Sequence, residues 1–165
     1  MSIDKATLSI PRIGKGIRRL GKMAEALPPQ FIIPPRKNIK ERLNDAQLFL
    51  RRGKEEIAEG RKTMNEIAIR EGCEKVFHAL LEAAVAAIQK YGLGVPQSHD
   101  EIREKLELAA GVRKEYEDLR KDYENAFLDL HVRSYYRGWL DNNVIDESVR
   151  RVEKRISLLE KLMRR

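Results

Sequence analysis

Apolar residues recur at helical spacing along most of this chain, and no strand-like alternation of useful length appears. Ile39, Leu43, Ala46 and Leu50 form a first stripe. Asn38 stands before it as a cap, and Glu41 completes a capping-box start. That helix is expected to end near Arg52-Gly53. Residues 53–62 are polar and fit a loop or a helix equally. A long helix is expected over about residues 63–91. From Val76 to Ile88 it is apolar nearly all round and rich in alanine, the pattern of a helix surrounded by others. Gly92, Gly94 and Pro96 end it.

Ser98 with Glu101 predicts the next helix start, and Gly111 its end. The stripe Val112, Tyr116, Leu119, Tyr123, Ala126 and Leu130 alternates spacings of four and three. Gly138 and Asp141-Asn142-Asn143 separate it from a last helix carrying Val149, Val152, Ile156, Leu159 and Met163. The expected fold is therefore all-α: a four- to five-helix, mostly antiparallel bundle over residues 37–165. Residues 1–36 are expected to form an arm. Five of the six prolines fall there, and Leu27 to Pro35 reads as an extended connector. Within the arm, Ile13, Ile17, Leu20, Ala24 and Leu27 make one short helical stripe, weakened by Gly14, Gly16 and Gly21.

Charge sharpens this division. The chain has 165 residues and a formal net charge of +7. The arm holds Lys5, Arg12, Lys15, Arg18, Arg19, Lys22 and Arg36 against Asp4 and Glu25. The body is nearly balanced, so the arm carries most of the excess. The single cysteine, Cys73, excludes an intrachain disulfide and fits a reducing compartment. No apolar run approaches the roughly 18 residues of a membrane span. No secretory pattern opens the chain, so the expected location is the cytoplasm.

Candidate chemistry is sparse. His78, His99 and His131 are the only histidines, and no Cys-x-x-Cys, His-Glu-x-x-His or Glu-x-x-His spacing occurs. No metal site or cofactor is expected. Gly14, Gly16 and Gly21 do not have a dinucleotide-loop spacing. Cys73 and His78, five residues apart on one helix, point in different directions. His78 is expected to bond a neighbour in the core or an interface, and His99 to lie exposed in a first helical turn. The densest polar-aromatic cluster is His131, Arg133, Tyr135, Tyr136, Arg137 and Trp139. Interleaved arginines and aromatics suit phosphate holding and base stacking. The same residues also suit closing the bundle end, with Arg133 and Arg137 paired to Asp129 and Asp141. Lys15, Arg18, Arg19 and Lys22 of the arm complete the candidate binding residues.

The runs Val76-Phe77-His78-Ala79-Leu80-Leu81-Glu82-Ala83-Ala84, Tyr91-Gly92 and Ser98-His99-Asp100-Glu101-Ile102 resemble HEPN-type helical bundles. The later run Leu130-His131, Ser134-Tyr135-Tyr136 and Gly138 is similar to a small bacterial helical family close to that fold. The resemblance covers roughly residues 38–163. It implies a bundle that dimerises, often with a nucleotidyltransferase partner or acting on RNA. Active members carry an arginine followed four to six residues later by a histidine. Here no arginine stands five to seven positions before any histidine, and Arg133 and Arg137 follow His131. No catalytic role is therefore transferred. Three functions follow in order: a non-catalytic, homodimeric interaction module for a protein partner; an RNA or nucleic-acid binder using the arm and the His131–Trp139 cluster; and a degenerate HEPN-type ribonuclease.

Overall fold

The computed structural model describes residues 37–163. The arm, with Lys15, Arg18, Arg19 and Lys22, lies outside the described residues. Among those described there are five helices and no strand. They are α1 (Ile39–Thr63), α2 (Glu66–Lys90), α3 (His99–Ala110), α4 (Lys114–Ala126) and α5 (Asn142–Met163). A π-helical segment, Phe127–Tyr136, continues directly from α4.

Local chemistry accounts for the ends. The Asn38 side chain accepts from the Glu41 backbone N–H at 2.9 Å, and the Glu41 carboxylate accepts from the Asn38 N–H at 2.8 Å. Both donors would otherwise be orphaned at the helix start. Ser98 caps α3 through Glu101 N–H, as expected. Met64 in a left-handed conformation (φ 53°) and the cap Asn65 turn α1 back onto α2 within two residues. Gly138, at φ 66°, stops the π segment.

The first expected boundary is corrected. α1 does not end at Gly53 but runs to Thr63. Gly53 and Gly60 are buried against α2, where their lack of a side chain is required. A Cβ on Gly53 would lie 2.7 Å from the Gly72 carbonyl oxygen and 2.9 Å from the Val76 nitrogen. One on Gly72 would lie 2.8 Å from both the Gly53 carbonyl oxygen and the Ile57 nitrogen. The two helices therefore touch backbone to backbone.

α2 is the axis of the bundle. Residues 79–88 are all buried, among them Ala83, Ala84, Ala86 and Ala87. α1 packs antiparallel to it. α4 and the π segment run back along its other side, from Tyr116, whose hydroxyl donates to Ala87 O at 3.2 Å, to Tyr135, whose carbonyl accepts from Arg70 Nε at 2.8 Å. α5 buries Ile145, Val152, Ile156 and Leu159. It is tied to α1 by Lys54–Glu153 (2.7 Å) and Arg61–Asp146 (2.8 Å), and to α4 by Arg155–Asp122 (2.6 Å). The predicted stripe of α4 is buried from Tyr116 onward, but Val112 is 70% exposed, in the turn before the helix.

One charged pair lies inside this core. Arg42 of α1 is fully buried and donates to Glu82 at 2.7 Å and to Gln89 at 2.8 Å. Lys37 reaches the same carboxylate at 3.4 Å.

The close α1–α2 contact makes a stability prediction. Gly53→Ala and Gly72→Ala should each lower unfolding free energy by about 1–3 kcal/mol, although alanine is the better helix former by about 1 kcal/mol. Gly111→Ala is the control, because its Cβ would meet only ordinary contacts at 3.5 Å and beyond. Urea denaturation followed by circular dichroism measures all three. Loss in Gly111→Ala equal to that in Gly72→Ala would refute the steric account.

Candidate functional site

Along α2, Ile67, the adjacent pair Arg70 and Glu71, Glu74 and His78 follow one another at spacings of three or four. They form one stripe on the helix whose second half is the apolar axis of the bundle. Three other segments face it. The π segment brings His131, Tyr135 and Tyr136. The first turns of α3 bring His99 and Arg103, and α4 brings Tyr123. The three histidines, widely separated in sequence, thus meet around the buried ring of Phe77. His131 lies 4.8 Å from that ring, His99 5.7 Å and His78 6.1 Å, centroid to centroid.

Glu74 joins two of them. Its carboxylate lies 2.7 Å from His131 Nδ1 and 3.1 Å from His78 Nε2. Burial acts to raise the Glu74 pKa. Hydrogen bonds from His131 and His78 outweigh it and bring the pKa down to about 2. His99 was expected to be exposed; this is corrected. It is half-buried, its Nδ1 lies 2.7 Å from the Tyr123 hydroxyl, and it packs against Phe127. Burial, then the charges of His131 and Arg103, push its pKa down to about 4. His99 is therefore neutral at pH 7. Arg103 itself sits over the Phe127 ring at 4.4 Å.

A histidine oriented by a carboxylate has the geometry of a general base. Here Phe77, Phe127 and Tyr136 crowd His131 at 4.8–5.2 Å, and 12% of its side chain is exposed. Cys73 makes no pair with His78. It is buried beside Ser134, and burial pushes its thiol up to about 11, so it stays protonated at neutral pH. Among the described residues no group of three histidine, cysteine or carboxylate side chains is arranged to hold a metal ion.

The predicted cluster divides into two layers. His131 and Tyr135 are half-buried and stacked, with rings 17° apart. Tyr136 and Trp139 are exposed, at 65% and 51%. Arg133 pairs with Asp129 at 2.8 Å and lies 5.2 Å over the Trp139 ring. The expected Arg137–Asp141 pair does not form. Asp141 instead accepts from the Asn143 and Val144 N–H groups at the start of α5, and Arg137 is exposed.

The π geometry was not foreseen in the sequence. Its sign is the Arg137 N–H donating to Val132 O, five residues back, at 3.0 Å, and the Ser134 hydroxyl donates to Asp129 O at 2.8 Å within the same segment. Glu74, Arg70, Glu71 and Ile67 were also missed as site residues. The legible signal was the charged stripe Arg70, Glu71 and Glu74 leading into the apolar half of the helix. Comparisons with family models, curated proteins and solved structures find no match to this chain.

Protonation of this cluster makes stability acid-sensitive. The His99 pKa falls on folding, from 6.5 to about 4. Its contribution is complete above pH 6.5 and is lost as pH falls through that window. Glu74 adds a second loss between pH 4.5 and about 2. Urea midpoints measured from pH 7 to 4 should fall in the parent chain and fall less in His99→Gln. Parallel curves for the two proteins would show that His99 does not carry the effect.

Proposed function

We propose that this chain is a non-catalytic interaction module: a HEPN-like helical bundle that pairs with a second copy and docks a protein partner at the end carrying the π segment. The supporting observation is a set of large apolar side chains at that end: Ile67 70% exposed, Tyr136 65% and Trp139 51%. Ile67 and Tyr136 line one cleft with Arg70, and Arg70 also lies against Gly138, next to Trp139. Aromatic and arginine side chains of this kind supply most of the binding energy at protein interfaces. The resemblance suggests a nucleotidyltransferase as the partner, and the single cysteine suits the reducing cytoplasm as the setting. No helix among the described residues is long and apolar enough to cross a membrane.

Trp139 is the only tryptophan, so its fluorescence reports on this face alone. Raising protein concentration should shift its emission to the blue as light scattering shows a dimer. Trp139→Ala should give a monomer with unchanged circular dichroism. A monomer at every concentration, with water-exposed tryptophan emission, removes the homodimer from the proposal.

A second reading, RNA binding, draws on the basic arm and on Arg133 stacked over Trp139. It predicts affinity that drops steeply with salt and is mostly lost when Lys15, Arg18, Arg19 and Lys22 become alanine. Filter binding with single-stranded RNA measures both. Salt-independent binding that survives those changes would dismiss it.

A further inference from the structure

The cleft bounded by Ile67, Arg70, Glu71, Tyr135 and Tyr136 has a volume of about 260 Å³. That is below the roughly 300–1,000 Å³ of small-molecule sites, a space for one side chain rather than a cofactor. Tyr135 and Tyr136 form two of its walls. Their ring centroids are 5.0 Å apart and their planes 70° apart, so the walls meet at a corner. Glu71 stands at the same corner, exposed, and forms no ion pair among the described residues. Its charge is close enough to raise the Tyr135 hydroxyl pKa.

Arg70 lines the same cleft and offsets that charge only in part: at the Tyr135 hydroxyl the effect of Glu71 is the largest and that of Arg70 the smallest. Its Nε donates to Tyr135 O at 2.8 Å, and its guanidinium lies against Gly138. It therefore sits at the carbonyl end of the π segment, where the partial negative charge of a helix terminus collects. Two tyrosine rings and a carboxylate whose charge Arg70 offsets only in part favour a cation over a phosphate. We infer that the Glu71–Tyr135–Tyr136 corner holds a lysine ammonium group of the docked partner. The inference takes its partner from the interaction-module reading, but its chemistry stands on the corner alone.

The test titrates the full chain with a short peptide bearing one central lysine, its trimethyl-lysine form and its acetyl-lysine form. NMR signals of the Tyr135 and Tyr136 rings follow binding. The two cationic peptides should shift both rings, and the neutral acetyl form should bind more weakly by roughly fivefold or more. Glu71→Gln should weaken the lysine peptide to a similar degree, and Tyr136→Leu should abolish its effect. Circular dichroism should be unchanged in both variants, since Glu71 and Tyr136 are exposed. Equal binding of the acetylated and free lysine peptides, or no effect of Glu71→Gln, overturns the inference. Trp139→Ala separates the two proposals, because it should disrupt assembly and leave lysine-peptide binding intact. Assembly that depends on Trp139, with lysine-peptide binding indifferent to the charge of Glu71, overturns the corner and keeps the module. Charge-dependent peptide binding without assembly does the reverse.

Discussion

The bundle depends on one close contact, the backbone-to-backbone packing of α1 on α2. Glycines at 53 and 60 on one helix and 72 on the other bring the axes together, and any Cβ there would meet main-chain atoms at under 3 Å. Main-chain atoms cannot move aside as a flexible side chain can. The distance between the two helices is therefore set by the absence of three side chains. That spacing lets Ile57 and Val76 interlock beside the glycines and leaves the rest of α2 to be covered by α4, the π segment and α5.

Two carboxylates on α2 turn this packing into a defined alignment. Glu82 is met by Arg42 of α1, and Glu74 by His131 of the π segment. A buried charge that loses its partner costs several kcal/mol. Sliding α1 or the π segment along α2 by a turn would strand one of these charges, so each pair penalises misalignment. The apolar surface of an alanine-rich helix offers little such discrimination. The Glu74 pair also places His131 under Tyr136, and so links the interior histidine cluster to the exposed aromatic face.

The π segment decides what that face looks like. Its wider turn carries Tyr135 and Tyr136 out beside Ile67 and Glu71 of α2. Gly138 ends it and releases Trp139 to the surface. Arg133 is held by Asp129 and stacked on Trp139, while Glu71 and Arg70 of α2 both line the cleft beside the tyrosines.

The sequence by itself determined the helical class, the caps at Asn38 and Ser98, and the buried axis from Val76 to Ile88. These follow from periodicity and from hydrogen bonds between residues a few positions apart. It also marked the His131–Trp139 run as the richest polar-aromatic segment. Only the tertiary structure decided that Gly53 lies inside a helix, because a glycine reads as a stop until a neighbouring backbone is known to fill the space. Only the tertiary structure brought His99 out of the solvent and joined Glu74 to His131, fifty-seven positions apart. Such contacts depend on how helices are stacked, and periodicity along one helix carries no information about which residue of another it will meet.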